Sequence, residues 1–194
     1  HPFPRIVQYA QSVIGKEIKE QILEKEGRLP DAICACIGGG SNLIGAIHEF
    51  LDDKEVKLYG VEPEHSAALT NGTVGIMQGF KSFMLQSETG DSTLATQSLA
   101  SGINFYSAGP EHAYLKKIKR VNYTHVSDKE AFDAFQLVCK TEGILIAFEP
   151  AFAVGYGIKL AKEMGKDKLL VLNICGRGDK DIDTAERILG DKLE

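Results

Sequence analysis

Apolar residues recur at three- and four-residue steps near the start of the chain: Ile6, Val7, Ala10, Val13, Ile14, Ile18, Ile22 and Leu23. That is the spacing of one helix face, so a long amphipathic helix is predicted there. It stops at "GRLPD" (27–31), with Gly27 where a C-cap belongs and Pro30 soon after. "AICACI" (32–37) is a short continuous apolar run, the pattern of a strand buried on both faces. A run of glycines follows, then a helical pattern over 42–51 and a second strand pattern over 56–63. Strand, Gly-rich turn, helix, strand make one βαβ unit.

Periodicity fades over 66–107, where Gly, Ser, Thr and Asn accumulate, and an irregular insertion or loop region is expected there. Regular patterns return with a helix over 109–118, Pro110 in its first turn, and a strand over 121–126. Ser127 with Glu130 three residues on reads as a capping box opening a helix to about Thr141. After the apolar run 143–148, Glu149-Pro150 opens another helix, "KLLVLNI" (168–174) reads as a buried strand, and a last helix covers 184–189. The alternation predicts a single α/β domain over 1–194, a parallel sheet wrapped by helices. Ligands of such sheets sit beyond the carboxyl ends of the strands. The turns "GGGSN", "FEP" and "CGRGD" occupy that position.

Charge narrows the partners. Lys and Arg number 22 against 27 Asp and Glu, a net −5 without a basic block, which argues against nucleic acid. No apolar run approaches the roughly 18 residues of a membrane span. Cys34 and Cys36 alternate on the first strand and so share a face, reading as small buried residues; with Cys139 and Cys175 they form no zinc-type pattern. No signal peptide is recognisable, and a reduced, cytoplasmic protein is the expectation.

The chemistry concentrates at "CIGGGSNLIG". Gly38, Gly39 and Gly40 bare the backbone so that a ligand can approach its N–H groups, Ser41 and Asn42 add side-chain donors, and the following helix presents its positive end. Phosphate is the usual occupant of such a cradle. No Lys follows, so the turn is not an ATP loop, and Leu43 stands where a dinucleotide motif needs a third Gly. A single phosphate on a compact cofactor fits better; a flexible turn without a ligand is the plain alternative.

"EGRLPDAICACIGGGSNLIG", "SAGPEHAYL", "EGILIAFEP" and "LNICGRGDKD" together resemble the beta subunits of tryptophan synthase, a family within the pyridoxal-phosphate enzymes of β-replacement. The resemblance covers nearly the whole chain and is weakest from about Ala67 to Gln97. It implies that Gly38, Gly39, Gly40, Ser41 and Asn42 hold the phosphate of pyridoxal phosphate and that Glu149 lies close to its ring. Cys175 stands where the family has a serine bonded to the ring nitrogen. A thiol bonds more weakly than a hydroxyl, but both are neutral partners. A monovalent cation, Na or K, is implied at the backbone carbonyls of Gly38, Phe105 and Ser107. Asn104 falls at an aspartate that helps close the site on substrate; it can bond but not form an ion pair.

The resemblance also implies a lysine that carries the cofactor as a Schiff base, in an early "HK" motif absent here; Lys16, Lys19, Lys117 and Lys162 fall on polar helix faces. The chain opens "HPFPRIV". The expectation is the C-terminal half of a two-domain beta chain, inactive alone, whose partners are the missing N-terminal half, a second beta chain and an alpha subunit. Two readings stay open beside it: another β-replacing enzyme of the cysteine or threonine synthase type, and a non-catalytic module that grips a phosphate or a partner chain.

Overall fold

Residues 2–190 are described by a computed structural model. Its strands are β1 (Ala32–Cys36), β2 (Lys57–Pro63), β3 (Thr73–Met77), β4 (Phe80–Met84), β5 (Asn122–Val126) and β6 (Leu170–Asn173). Its helices are α1 (Phe3–Gln11), α2 (Val13–Glu26), α3 (Ser41–Ile47), α4 (Ala68–Asn71), α5 (Pro110–Lys117), α6 (Asp128–Glu142), α7 (Phe148–Met164) and α8 (Ile182–Gly190). Four strands form a wholly parallel sheet in the order β5-β2-β1-β6, so the α/β expectation holds.

The register puts Cys34 between Tyr59 and Leu172. Alternation then divides β1 between two cores. Cys34 and Cys36 face the layer that contains Phe132, Phe135, Phe148 and Phe152, from α6 and α7. Ile33, Ala35 and Ile37 face Leu43, Ile47 and Phe50, around α3. Every residue of β1 is buried, as its unbroken apolar run requires. Phe148 and Phe152 are fully buried, a gain of about 2–3 kcal/mol each. Between these layers β1 is fixed on both sides, and the turn leaving its carboxyl end starts from a rigid point.

Local sequence explains most boundaries. Gly27 takes the left-handed conformation, φ 67°, and ends α2 with its N–H on Leu23 O. Ser127 and Glu130 close the capping box in both directions. The single N-terminal helix expected from periodicity is instead two, α1 and α2. Ser12 Oγ donates to Tyr9 O at 3.0 Å, a local bond that competes with the helical ladder. The apolar stripe of α1 is uncovered: Phe3 and Tyr9 are 74% and 79% exposed.

The stretch 66–107, expected to be irregular, holds α4 and an antiparallel hairpin of β3 and β4. Gln78 and Gly79 form its turn, both with positive φ, 45° and 87°, the twist that two-residue hairpins favour. Gln is a rare residue for that conformation, which hid the hairpin from sequence reading. In the apolar run 143–148, Ile144 and Leu145 are exposed and only Ile146, Ala147 and Phe148 enter the core.

Candidate functional site

The chain leaves β1 at Cys36 and turns through Gly38, Gly39 and Gly40 into α3. Gly40 has φ 113°, and a Cβ there would fall 2.1 Å from His112 Cδ2. At Gly38 a Cβ would lie 2.6 Å from Ile103 Cα. At Gly39 nothing lies within 4 Å. Two glycines therefore pack the turn against its neighbours, and the third leaves open space before it. No side chain caps α3, and the first N–H groups of a helix have no intrahelical acceptor. A cavity of about 730 Å³ borders the turn, lined by Gly39, Gly40, Ser41, Phe105, Ser107 and His112 among others. Glu111 also borders it, and burial raises that carboxyl above its ordinary value. An uncapped helix start beside open space fits a bound oxyanion.

His112, from α5, locks the turn. Its Nε2 lies 2.8 Å from Gly40 O and its Nδ1 2.9 Å from Tyr123 Oη. A carbonyl only accepts, so Nε2 carries the proton and Nδ1 accepts from the tyrosine hydroxyl. Burial lowers the His112 pKa from 6.5 to about 4, so the ring is neutral at pH 7. A second tie comes from Gly109 N–H, which donates to Gly39 O at 2.9 Å. Neither residue was singled out from sequence, although "GPEHAYL" contains both; a His pointing inward from a helix gives no signal without its partner.

Asn42 bonds inward. Its Nδ2 donates to Cys36 O at 3.0 Å, and its Oδ1 accepts from Asn173 Nδ2 at 2.6 Å. It fastens the turn to the ends of β1 and β6, while Ser41 is exposed. Cys175 follows β6, its Sγ 3.7 Å from Cys36 Sγ. The hydrogen bond to Cys175 and burial push the Cys36 thiol up, so Cys36 keeps its proton.

Glu149 opens α7 and is mostly buried. Gly102 N–H donates to its Oε1 at 2.9 Å, and Lys180 Nζ lies 2.9 Å from its Oε2. Burial raises this carboxyl, but Lys180 and the backbone donors outweigh it and hold it below the ordinary value. Lys180 also reaches Asp181 Oδ1 at 2.7 Å, and Asp181 accepts from Phe148 N–H at 2.9 Å. Lys180 and Asp181 were legible only as letters of "GRGDKD".

The remaining candidates sit in the segment beside Gly38. Ser66 Oγ donates to Asn104 Oδ1 at 2.6 Å, holding Asn104 within its loop. Phe105 is half exposed, and its ring borders Gly38. Ser107 Oγ donates to Phe83 O at 2.9 Å. The structure thus brings Gly38 and Phe105 together, and ties Asn42, Cys36, Cys175 and Asn173 into one network. Glu149 and Cys175 do not line the cavity before Gly39.

Among the described residues no helix is long and apolar enough to cross a membrane. Comparison with known proteins gives three findings. The family model described as "Pyridoxal-phosphate dependent enzyme" matches residues 1–176. "Tryptophan synthase beta chain" of Jannaschia sp. (strain CCS1) is 47% identical over 98% of this chain and 48% of its own length. The chain therefore spans about half the length of that relative. The crystal structure of a fungal L-serine ammonia-lyase from Rhizomucor miehei matches with a TM-score of 0.68 at 18% identity, over 94% of this chain and 56% of that one. At that identity it speaks for the fold alone. Glycine turn, parallel sheet and family match agree: this chain belongs to the pyridoxal-phosphate dependent enzymes.

Proposed function

We propose that this chain is the C-terminal, cofactor-holding portion of a tryptophan synthase beta chain, which when whole joins indole to L-serine to give L-tryptophan and water. The observation that carries the reading is the turn at 38–40, with open space before Gly39 and α3 uncapped behind it. The choice of reaction is supported by the 47% identity to the Jannaschia protein.

Pyridoxal phosphate, when bound, supplies an electron sink that eases replacement at the β-carbon of an amino acid. The residues of this chain bind and orient it. Amides of Gly39, Gly40 and Ser41 take the phosphate, held in place by His112, Gly109 and Asn42. Glu149, kept ionised by Lys180 and Gly102 N–H, stands at the ring. Cys175 is a neutral partner for the ring nitrogen. Carbonyls of Gly38, Phe105 and Ser107 hold a monovalent cation, and Asn104 steadies closure over substrate.

In our reading the lysine that holds the cofactor covalently lies outside this chain: the resemblance puts it in an early "HK" motif that this sequence lacks, and Lys180, the lysine beside Glu149, is engaged by Glu149 and Asp181. The chain alone is then inactive. It acts in the cytoplasm with the preceding half of the beta chain, a second beta chain and an alpha subunit. The test is to assay tryptophan formation from indole and serine with this chain alone and after joining it to the preceding half of a beta chain. Activity only in the joined protein supports the reading. Turnover by the chain alone, or one lysine of this chain labelled stoichiometrically after cofactor and borohydride, overturns it.

A further inference from the structure

We propose that Cys36 and Cys175 form a reversible dithiol–disulfide pair beneath the glycine turn. Their Sγ atoms are 3.7 Å apart as free thiols. The backbone permits the bond. β1 and β6 are parallel neighbours with Ala35 opposite Asn173, and β6 ends there. Cys175 therefore escapes the strand alternation and turns toward Cys36. The Sγ atoms have to close from 3.7 Å to about 2 Å, and Cys175, two residues past the last ladder pair, is not held in place by the sheet.

The two thiols are unequal, and the inequality sets the order of events. Cys36 is 1% exposed, whereas Cys175 is partly exposed beside the exposed Gly176. A small-molecule disulfide such as oxidised glutathione meets Cys175 first. The Cys175 thiolate attacks one glutathione sulfur, the glutathione S–S bond breaks, and one glutathione thiolate leaves. Cys36 then attacks Sγ of Cys175, breaking the mixed disulfide and releasing the second glutathione, with the Cys36 proton going to the departing thiolate. Two cysteines are oxidised by two electrons in total, and one glutathione disulfide is reduced to two thiols. Neither other cysteine competes: Cys34 is buried with its Sγ 3.7 Å from Ala153 O, and Cys139 lies on α6.

The bond stands apart from the cofactor reading. Its consequence rests on that reading: oxidation withdraws the thiol assigned to the ring nitrogen and pulls on Cys36, which Asn42 Nδ2 also contacts at 3.4 Å.

The test uses the full chain, reduced and free of cofactor, so its outcome does not depend on cofactor binding. The chain is equilibrated with oxidised glutathione, alkylated under denaturing conditions and digested with trypsin. Cys36 lies in peptide 29–54 and Cys175 in 169–177. Fragmentation of the linked pair separates Cys36 from Cys34 without any variant. The expected result is a Cys36–Cys175 link at least tenfold above any link through Cys34 or Cys139, reversed by dithiothreitol and lost in Cys175→Ala. Cys175 halting as the glutathione adduct, or a link distribution equal to that of the urea-denatured chain, would overturn the proposal.

Discussion

Replacing His112 with Gln should change how the fold responds to acid. His112 is held neutral, its pKa lowered from 6.5 to about 4 chiefly by burial. Between those values the unfolded chain binds a proton that the folded chain does not. The free energy of unfolding therefore rises with pH, and His112's contribution is complete above 6.5 and lost as pH falls toward 4. At 1.36 kcal/mol per unit this is about 3 kcal/mol. Glu62 works the other way. Burial raises its pKa from 4.5 to about 7, against donors from Leu69 N–H, Thr70 N–H and Thr70 Oγ1. Its contribution is present below 4.5 and lost as pH rises through 7, by a similar amount. The two slopes nearly cancel in the parent chain, so only the difference between parent and variant isolates the histidine. Gln can still donate to Gly40 O but does not titrate. Urea unfolding followed by circular dichroism from about pH 7 to about pH 4.5 should show the parent's advantage over His112→Gln shrinking by about 2–3 kcal/mol. A gap constant across that range would refute the assignment of a buried, neutral ring.

Gly40→Ala should cost about 2–4 kcal/mol in urea unfolding, since its Cβ meets His112 at 2.1 Å in a left-handed conformation, whereas Gly39→Ala, with nothing within 4 Å, should change stability by less than about 1 kcal/mol. Tyr123→Phe leaves His112 Nδ1 without a donor and should lower stability by about 1–2 kcal/mol by the same measurement. Lys180→Met should raise the Glu149 pKa, read by carbon-13 carboxyl titration, because its largest opposing influence to burial is removed; the stability loss should be only about 1 kcal/mol, since Lys180 is 41% exposed. In a protein completed by the upstream half, Cys175→Ser should alter tryptophan formation modestly, because one neutral partner replaces another; total loss would contradict the role given to Cys175.

The sheet was legible because its code is local. "AICACI" has no polar position to place in solvent and is buried throughout. "KLLVLNI" gave a strand but not the buried one expected, since β6 is the edge strand, half-buried along its length, with Ile174 exposed. Gly27, Ser127 and Glu130 mark helix ends through their own backbone preferences. The glycine turn was legible for the same reason: three glycines between a strand and a helix need a close approach. The hairpin at 73–84 was not, since Gln78 holds its positive φ only because β3 and β4 pair around it. Nor were His112, Lys180 and Gly102, whose parts depend on residues far along the chain: Gly40 lies 72 positions from His112, and Glu149 lies 47 from Gly102. The α1 stripe misled in the other direction, because periodicity records that a face is apolar and not what covers it.

The central claim is that backbone amides of the 38–42 turn grip a phosphate. Amide chemical shifts of the isotope-labelled chain, titrated with pyridoxal phosphate and in parallel with unphosphorylated pyridoxal, test it most directly. Saturable shifts at Gly39, Gly40 and Ser41 with the phosphorylated compound, at least tenfold weaker with pyridoxal and weakened by Gly39→Ala, are the predicted result. Equal responses to the two compounds, or shifts confined to residues away from this turn, would contradict it.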